Sequence, residues 1–115
     1  MLPGMAAMRE PTFLILTALA GRPRHGYGII QEVGELSGGR VKLLTGTLYT
    51  ALERLTAEGL IELDHEERVD GRGRRCFRLT ADGLGALRAE TARMRALAAV
   101  AEKRLGGVLR PGVAR

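Results

Sequence analysis

Behind Pro11 the chain runs Phe13, Leu14, Leu16, Ala18 and Leu19 with almost no polar flank. Proline suits the first turn of a helix, where its missing N–H has no partner to lose, so this stretch predicts a helix apolar on most of its surface. Such a helix must be buried, in its own domain and in part by a second subunit. Gly21, Pro23 and Gly26 form a turn region, after which Tyr27, Ile30 and Val33 recur at helical spacing until Ser37-Gly38-Gly39 stops the element. A third helix is predicted with Thr45 as N-cap and Gly59 at the C′ position, its narrow apolar stripe being Leu48, Leu52 and Leu55. Its other face presents Thr45, Thr47, Tyr49, Thr50, Glu53 and Arg54.

From Leu60 the period drops to two. Ile61, Leu63 and His65 fall on one face of a half-buried strand, with Glu62, Asp64 and Glu66 on the other. Asp70-Gly71-Arg72-Gly73 supplies turn residues, and Arg75, Phe77 and Leu79 alternate with Cys76 and Arg78 on a return strand, which predicts a hairpin with a glycine-rich basic tip. Thr80 caps a last helix that carries Asp82 in its first turn. Along it Leu84, Leu87, Thr91, Met94, Ala98, Ala101 and Leu105 keep a three-four spacing, the seam of one helix packing on another. Gly106-Gly107 is expected to end it.

Three helices followed by a hairpin is the order of a winged helix-turn-helix, so the expected fold is mainly α with a small β-hairpin and a C-terminal dimerisation helix. Residues 1–80 would form the DNA-binding domain, 81–106 the dimerisation helix and 107–115 a frayed tail. At 115 residues the chain is long enough for one core only. A net charge of +5 gives the surface an attraction for polyanions. Arg68, Arg72, Arg74, Arg75 and Arg78 crowd a segment whose one internal acid is Asp70.

A lone cysteine, Cys76, permits no intramolecular disulfide and no thiolate cluster, which fits a reducing, cytoplasmic setting. Phe13 to Leu19 mimics a signal peptide, but the run is short and Glu10 and Pro11 interrupt its approach. No stretch is long enough to span a bilayer. Met1, Met5 and Met8 are alternative starts.

A helix that enters the major groove needs short polar side chains near its N-terminus and an apolar stripe behind them. Thr45, Gly46, Thr47 and Thr50 meet that need, Tyr49 can lie along the backbone, and Arg54 is long enough to reach a phosphate. On the hairpin, Arg72, Arg74 and Arg75 offer guanidinium forks to phosphates or to a narrow minor groove. The same basic surface would also serve a winged helix that binds an acidic protein instead of DNA. Gly26-Tyr27-Gly28 lacks the strand and third glycine of a nucleotide site. His25, His65 and a single cysteine make no convincing metal set, and the carboxylates from Glu62 to Glu67 have no nucleophile beside them. Neither an enzyme, nor a cofactor, nor a metal is therefore expected.

His25-Gly26-Tyr27, then Gly46-Thr47-Leu48-Tyr49 with Leu52, Leu55 and Glu58-Gly59-Leu60-Ile61, then Gly71-Arg72 and Phe77-Arg78-Leu79-Thr80 with Gly83, resemble the PadR family of bacterial transcriptional regulators over about Phe13 to Leu105. The resemblance implies a homodimer facing an inverted-repeat operator and repression relieved by a small effector. It also implies that Tyr27 touches backbone phosphate and that Tyr49 lies on the recognition helix. Thr50 stands where a proline is common in the family, and Phe77 where a tyrosine is common. A single C-terminal helix is similar to the short subgroup, whose dimer would join the seam above with the first helix through Phe13. Some short members hold flat drugs between tryptophans. This chain has no Trp, so an effector pocket would be lined by side chains such as Met94 and Leu97.

Overall fold

In a computed structural model, which describes residues 7–108, the chain forms four helices and a small antiparallel sheet. The order is α1 (Glu10–Gly21), β1 (Arg24–His25), α2 (Gly26–Leu36), α3 (Thr45–Ala57), β2 (Ile61–Val69), β3 (Arg72–Leu79) and α4 (Ala81–Val108). Pro11 sits in the first turn of α1, and Leu14, Ile15, Leu16, Ala18 and Leu19 are buried around the helix, as its apolar surface demands. α2, α3, Ile61, Phe77 and Leu87 pack about it to make one aliphatic core. Each fully buried Leu or Ile there contributes about 1.5–3 kcal/mol.

Two helices end where their glycines allow. After α3, Gly59 takes φ 77°, its N–H bonds Thr56 O at 3.0 Å and the Leu60 N–H bonds Leu55 O at 3.0 Å, which satisfies the last carbonyls in a Schellman turn. Gly38 and Gly39 do the same for α2. Thr80 caps α4, its Oγ1 accepting from the Gly83 N–H at 2.9 Å.

Other local expectations need correction. Thr45 is not the N-cap of α3. Leu44 is, in extended conformation and with no side-chain cap, because its carbonyl already accepts the first helical bond from Leu48 at 2.9 Å. α2 buries Gly26, Ile29 and Val33, with Ile30 partly buried against the same core, while Tyr27 is 62% exposed. α4 does not stop at Gly106-Gly107 but runs to Val108. Neither glycine takes a positive φ, and a helical glycine costs only about 1 kcal/mol, too little to break a long helix by itself. Residues 109–115 of the expected tail, and the starts at Met1 and Met5, lie outside the described residues.

The sheet has three strands, in the order β1-β3-β2, and not the two of a bare hairpin. β1 is two residues long, too short for any periodic signal, and pairs Arg24 with Phe77 and His25 with Cys76. β2 and β3 are joined by a two-residue turn in which Asp70 (φ 53°) and Gly71 (φ 76°) supply the left-handed pair that a tight hairpin requires. Leu63 pairs with Phe77 but His65 with Cys76, so Asp64 is the extra residue of a β-bulge. The insertion flips the faces beyond it. His65 does not share a face with Ile61 and Leu63, as simple alternation would have it, but joins Cys76 on the outer face.

Candidate nucleic-acid interface

The start of α3 stands out from the core on the buried stripe of Leu48, Leu52 and Leu55, while Thr45, Gly46, Thr47, Tyr49 and Thr50 are exposed. With no side-chain cap, the first N–H groups of this helix stay open to an outside acceptor, where the helix dipole favours negative charge. A Cβ at Gly46 would meet nothing within 4 Å, so no contact inside the subunit requires glycine there. Gly26 is different. A Cβ on it would lie 2.6 Å from Tyr49 Oη, so this glycine lets the Tyr49 ring close over the start of α2. Tyr27 and Tyr49 are thereby brought to one end of the α2–α3 crossing, 62% and 46% exposed.

Arg54 is half-committed within the subunit. It donates to Thr12 Oγ1 at 2.9 Å and lies 3.5 Å from the Glu58 carboxylate, so a phosphate would have to draw it away from both.

On the hairpin, Arg72, Arg74 and Arg75 are exposed, and among the described residues none has a carboxylate within ion-pair distance. Arg24, Arg40, Arg54, Arg78 and Arg93 each do, with Glu32, Glu10, Glu58, Glu62 and Glu90 respectively. With Arg68, the hairpin thus gathers four arginines without a carboxylate partner in one short segment, while Arg9, Arg22, Lys42, Arg88, Arg95, Lys103 and Arg104 stand likewise without an ion pair elsewhere among the described residues. Strand alternation places Arg72 and Arg74 on the outer face, whereas Arg75 turns to the other and lies 5.4 Å over the Phe77 ring. The three are not one fork.

A further residue at this surface is His25, which the sequence shows in the His25-Gly26-Tyr27 motif but without a role at this surface. Its Nδ1 accepts from the Gly28 N–H at 3.1 Å and so caps α2. A neutral ring that accepts at Nδ1 carries its proton on Nε2, and that N–H faces Arg74 Nη1 at 3.2 Å. Two donors cannot bond each other; they converge on a place for a shared acceptor. Cys76, beside them, is buried, and its thiol is pushed up by burial and by the Glu67 and Asp64 carboxylates, which is not the setting of a reactive thiolate.

α4 divides in two. Leu87 (8% exposed) packs in the subunit's own core, and Thr91 is partly buried with its Oγ1 donating to Leu87 O. From Met94 on the helix leaves the core: Met94, Leu97, Val100 and Leu105 are 41–58% exposed and Ala98 and Ala101 are exposed. Leu84 is 38% exposed and Phe13 partly buried. A cavity of about 330 Å³ lies between α1, α2 and α4, lined by Phe13, Leu36, Glu90, Arg93 and Met94 among others, and not by Leu97. The fold places no helix that is long and apolar enough to cross a membrane among the described residues.

Residues 15–89 match the model of the transcriptional regulator PadR-like family. The chain is 41% identical over 93 residues to the transcriptional regulator Rv3488 of Mycobacterium tuberculosis, a match covering 81% of this chain and 80% of that protein. Among solved structures it is similar to a PadR family transcription regulator from Clostridium difficile, with a TM-score of 0.69 and 27% identity over 84% of this chain and 99% of that one. Bacillus subtilis PadR in complex with operator DNA is similar in fold, with a TM-score of 0.63 and 24% identity over 70% of this chain and 46% of that one.

Proposed function

The chain belongs to the PadR-like family of transcriptional regulators, and from that premise we propose that it is a repressor that binds an inverted-repeat operator as a homodimer. Each subunit lays the first turn of α3 in the major groove, and the β2–β3 hairpin, its wing, reaches the flanking backbone or minor groove. The observation that carries this reading is that an uncapped, threonine-bearing helix start and arginines without carboxylate partners are mounted on the same core. Thr45, Thr47 and Thr50 contact base edges or phosphates, Gly46 lets the backbone come close, and Tyr27 and Tyr49 bond the phosphate chain. Arg72 and Arg74 clamp the backbone, with Arg75 and Arg54 in lesser parts. A phosphate oxygen is the acceptor shared by Arg74 and His25. Known operator-bound PadR of the same fold favours a duplex over an acidic protein as the partner.

Residues 1–80 form the DNA-binding unit and 81–106 the dimerisation helix. Two copies pair through the exposed face of α4, at Leu84, Met94, Ala98, Ala101 and Leu105, with Thr91 at its edge and Phe13 of α1 beside it; Leu87, expected on the same seam, is committed to the subunit's own core. The protein acts in the cytoplasm, and a small effector would act in the cavity beside Met94. Mobility-shift and footprinting assays on the DNA next to its own gene test the proposal. Protection is expected in two half-sites about 34 Å apart. Arg72→Glu with Arg74→Glu weakens binding to operator and scrambled duplex alike. With two phosphates per subunit no longer neutralised, at about 0.9 each, the salt slope flattens by about 3.6 in a dimer. A protein that shows no preference between its upstream DNA and scrambled duplex, yet captures an acidic protein, overturns the reading.

A further inference from the structure

The bulge at Asp64 does more than change a face. It turns His65 toward Cys76, its partner across β3, with Glu67 on the same outer face of the sheet. The imidazole, carboxylate and thiol each offer a ligand atom, and the three atoms lie within 4.8 Å of one another. A cavity of about 420 Å³ opens over them, bounded on its far side by the Arg22–His25 segment and Gly28. Chain positions that sequence spacing kept apart are thus gathered at the root of the wing. We propose that His65, Glu67 and Cys76 form a binding site for one thiophilic divalent transition metal ion of the zinc class, a site distinct from the groove-facing surface of α3.

The donor set carries the argument. One sulfur, one imidazole nitrogen and one carboxylate oxygen are the mixed ligands that borderline-soft cations take, while calcium and magnesium require oxygen alone. Bonds of about 2.0–2.3 Å around a tetrahedral centre set ligand atoms about 3.3–3.8 Å apart. His65 Nε2 and Glu67 Oε2 are already at 3.5 Å. Both side chains are more than two-fifths exposed and free to close on the buried sulfur. The outer shell is also in place. Asp64 Oδ2 lies 2.5 Å from His65 Nδ1, which orients the ring with its Nε2 toward Glu67, the carboxylate–histidine arrangement of metal-binding rings. The Cys76 thiol donates to the Glu67 carboxylate and His65 Nε2 faces the same carboxylate, so a cation at the centre would take the place of the thiol proton in joining the three. Arg74, across the strand pair from Glu67, opposes it with its charge. Arg78 does so less, being bonded to Glu62 and Asp64.

Binding is a ligand exchange. The Cys76 S–H bond breaks, the sulfur pair forms the metal–sulfur bond, and the proton leaves to buffer as the ion sheds bound water, with a remaining water in the fourth position. No oxidant or reductant is needed.

The test uses the full chain, reduced and stripped with chelator, titrated with Co²⁺. We expect one equivalent per chain, the intense visible bands of tetrahedral cobalt, a near-ultraviolet thiolate-to-cobalt band, and displacement of both by Zn²⁺. Cys76→Ser removes the thiolate band. His65→Gln at an exposed position and Glu67→Gln at a half-buried one, each checked for intact folding by circular dichroism, weaken binding at least about tenfold, and Asp64→Asn weakens it about 10–100-fold through the ring it orients. If Cys76→Ser fails to fold, the His65 and Glu67 variants decide alone. No thiolate band in the wild-type protein, or a band unchanged by His65→Gln and Glu67→Gln, overturns the proposal. These outcomes do not depend on DNA binding, so the site and the regulatory reading stand or fall separately.

Discussion

The first turn of α4 passes so close to the end of α3 that one methyl group should separate them. A Cβ built on Gly83 would lie 1.9 Å from the Leu60 carbonyl oxygen and 2.9 Å from its carbon. Carbon and oxygen settle no nearer than about 3.2–3.5 Å, so Gly83→Ala forces more than about 1 Å of backbone movement. That movement acts on a knot of three hydrogen bonds. The Thr80 N–H donates to Leu60 O at 3.1 Å, Thr80 Oγ1 donates to Gly59 O at 2.6 Å, and the Gly83 N–H donates to Thr80 Oγ1 at 2.9 Å. Overpacking costs about 1–3 kcal/mol, and the strained cap and backbone bond add about 1 kcal/mol each. Alanine's better helix propensity returns about 1 kcal/mol, which leaves a net loss of about 2–4 kcal/mol. Gly85, two residues on, would meet nothing within 4 Å, so Gly85→Ala gains about 0.8–1 kcal/mol instead. Urea denaturation followed by circular dichroism at one fixed protein concentration reads both, and with a slope of about 2 kcal/mol/M the midpoint of Gly83→Ala falls by about 1–2 M. A Gly83→Ala midpoint at or above wild type, or two variants that shift alike, refutes the reasoning.

The exposed half of α4 makes a second test: Met94→Glu with Leu105→Glu places charge on the proposed seam, and sedimentation should show a folded monomer, whereas an undisturbed dimer would move the interface elsewhere. Arg93 bonds Glu90 and holds its carboxyl below the ordinary value of 4.5. A carboxyl depressed in the folded state contributes stability above its unfolded pKa and loses it as the pH falls through its folded pKa. The urea midpoint of wild type should therefore exceed that of Glu90→Gln at neutral pH and converge with it in acid; a gap that stays constant from neutral to acid would remove the ion pair from the account. Gly26→Ala should push Tyr49 off its seat and change its near-ultraviolet circular dichroism, since the new Cβ would sit 2.6 Å from Tyr49 Oη; an unchanged spectrum would mean that the ring is not held there.

What is legible in the chain before folding is whatever depends on neighbours in sequence. Gly59 announces a helix end because only local backbone geometry is at stake, Asp70-Gly71 announces a tight turn for the same reason, and Thr80 with Asp82 two residues on announces a cap. What is not legible depends on partners far along the chain. β1 exists only because β3 lends it an edge. The bulge at Asp64 is invisible in Ile61-Glu62-Leu63-Asp64-His65, which alternates well by itself; only pairing with Phe77 and Cys76 reveals the extra residue. Spacing along the chain argues against His65 and Cys76 as joint metal ligands, and the bulge is what cancels that spacing. The buried face of α2 is easily mistaken because Tyr27 is large and apolar in bulk, yet its hydroxyl end has water to gain and Ile29 has none to lose.

The support under the two elements proposed to meet DNA differs, and on that proposal it sets their division of labour. α3 stands on Leu48, Leu52 and Leu55, each no more than 2% exposed, so its threonines are held by the core before any duplex arrives. β3 is flanked on both sides only at Cys76 and Phe77, where β1 joins it; from Arg72 to Arg75 it is half of a two-stranded ribbon with no buried residue. Such a ribbon is marginally ordered without added contacts. An element fixed in advance can discriminate between base edges, since a wrong sequence cannot reshape it, whereas one that orders on contact gives up part of its binding energy and adapts to any phosphate backbone. Substitutions at Thr47 should therefore alter which sequence is preferred, and substitutions at Arg72 or Arg74 should alter how strongly every sequence is held. A metal ion at His65, Glu67 and Cys76 would tie β2 to β3 just inside the unsupported segment, and would stiffen the clamp without touching the reader.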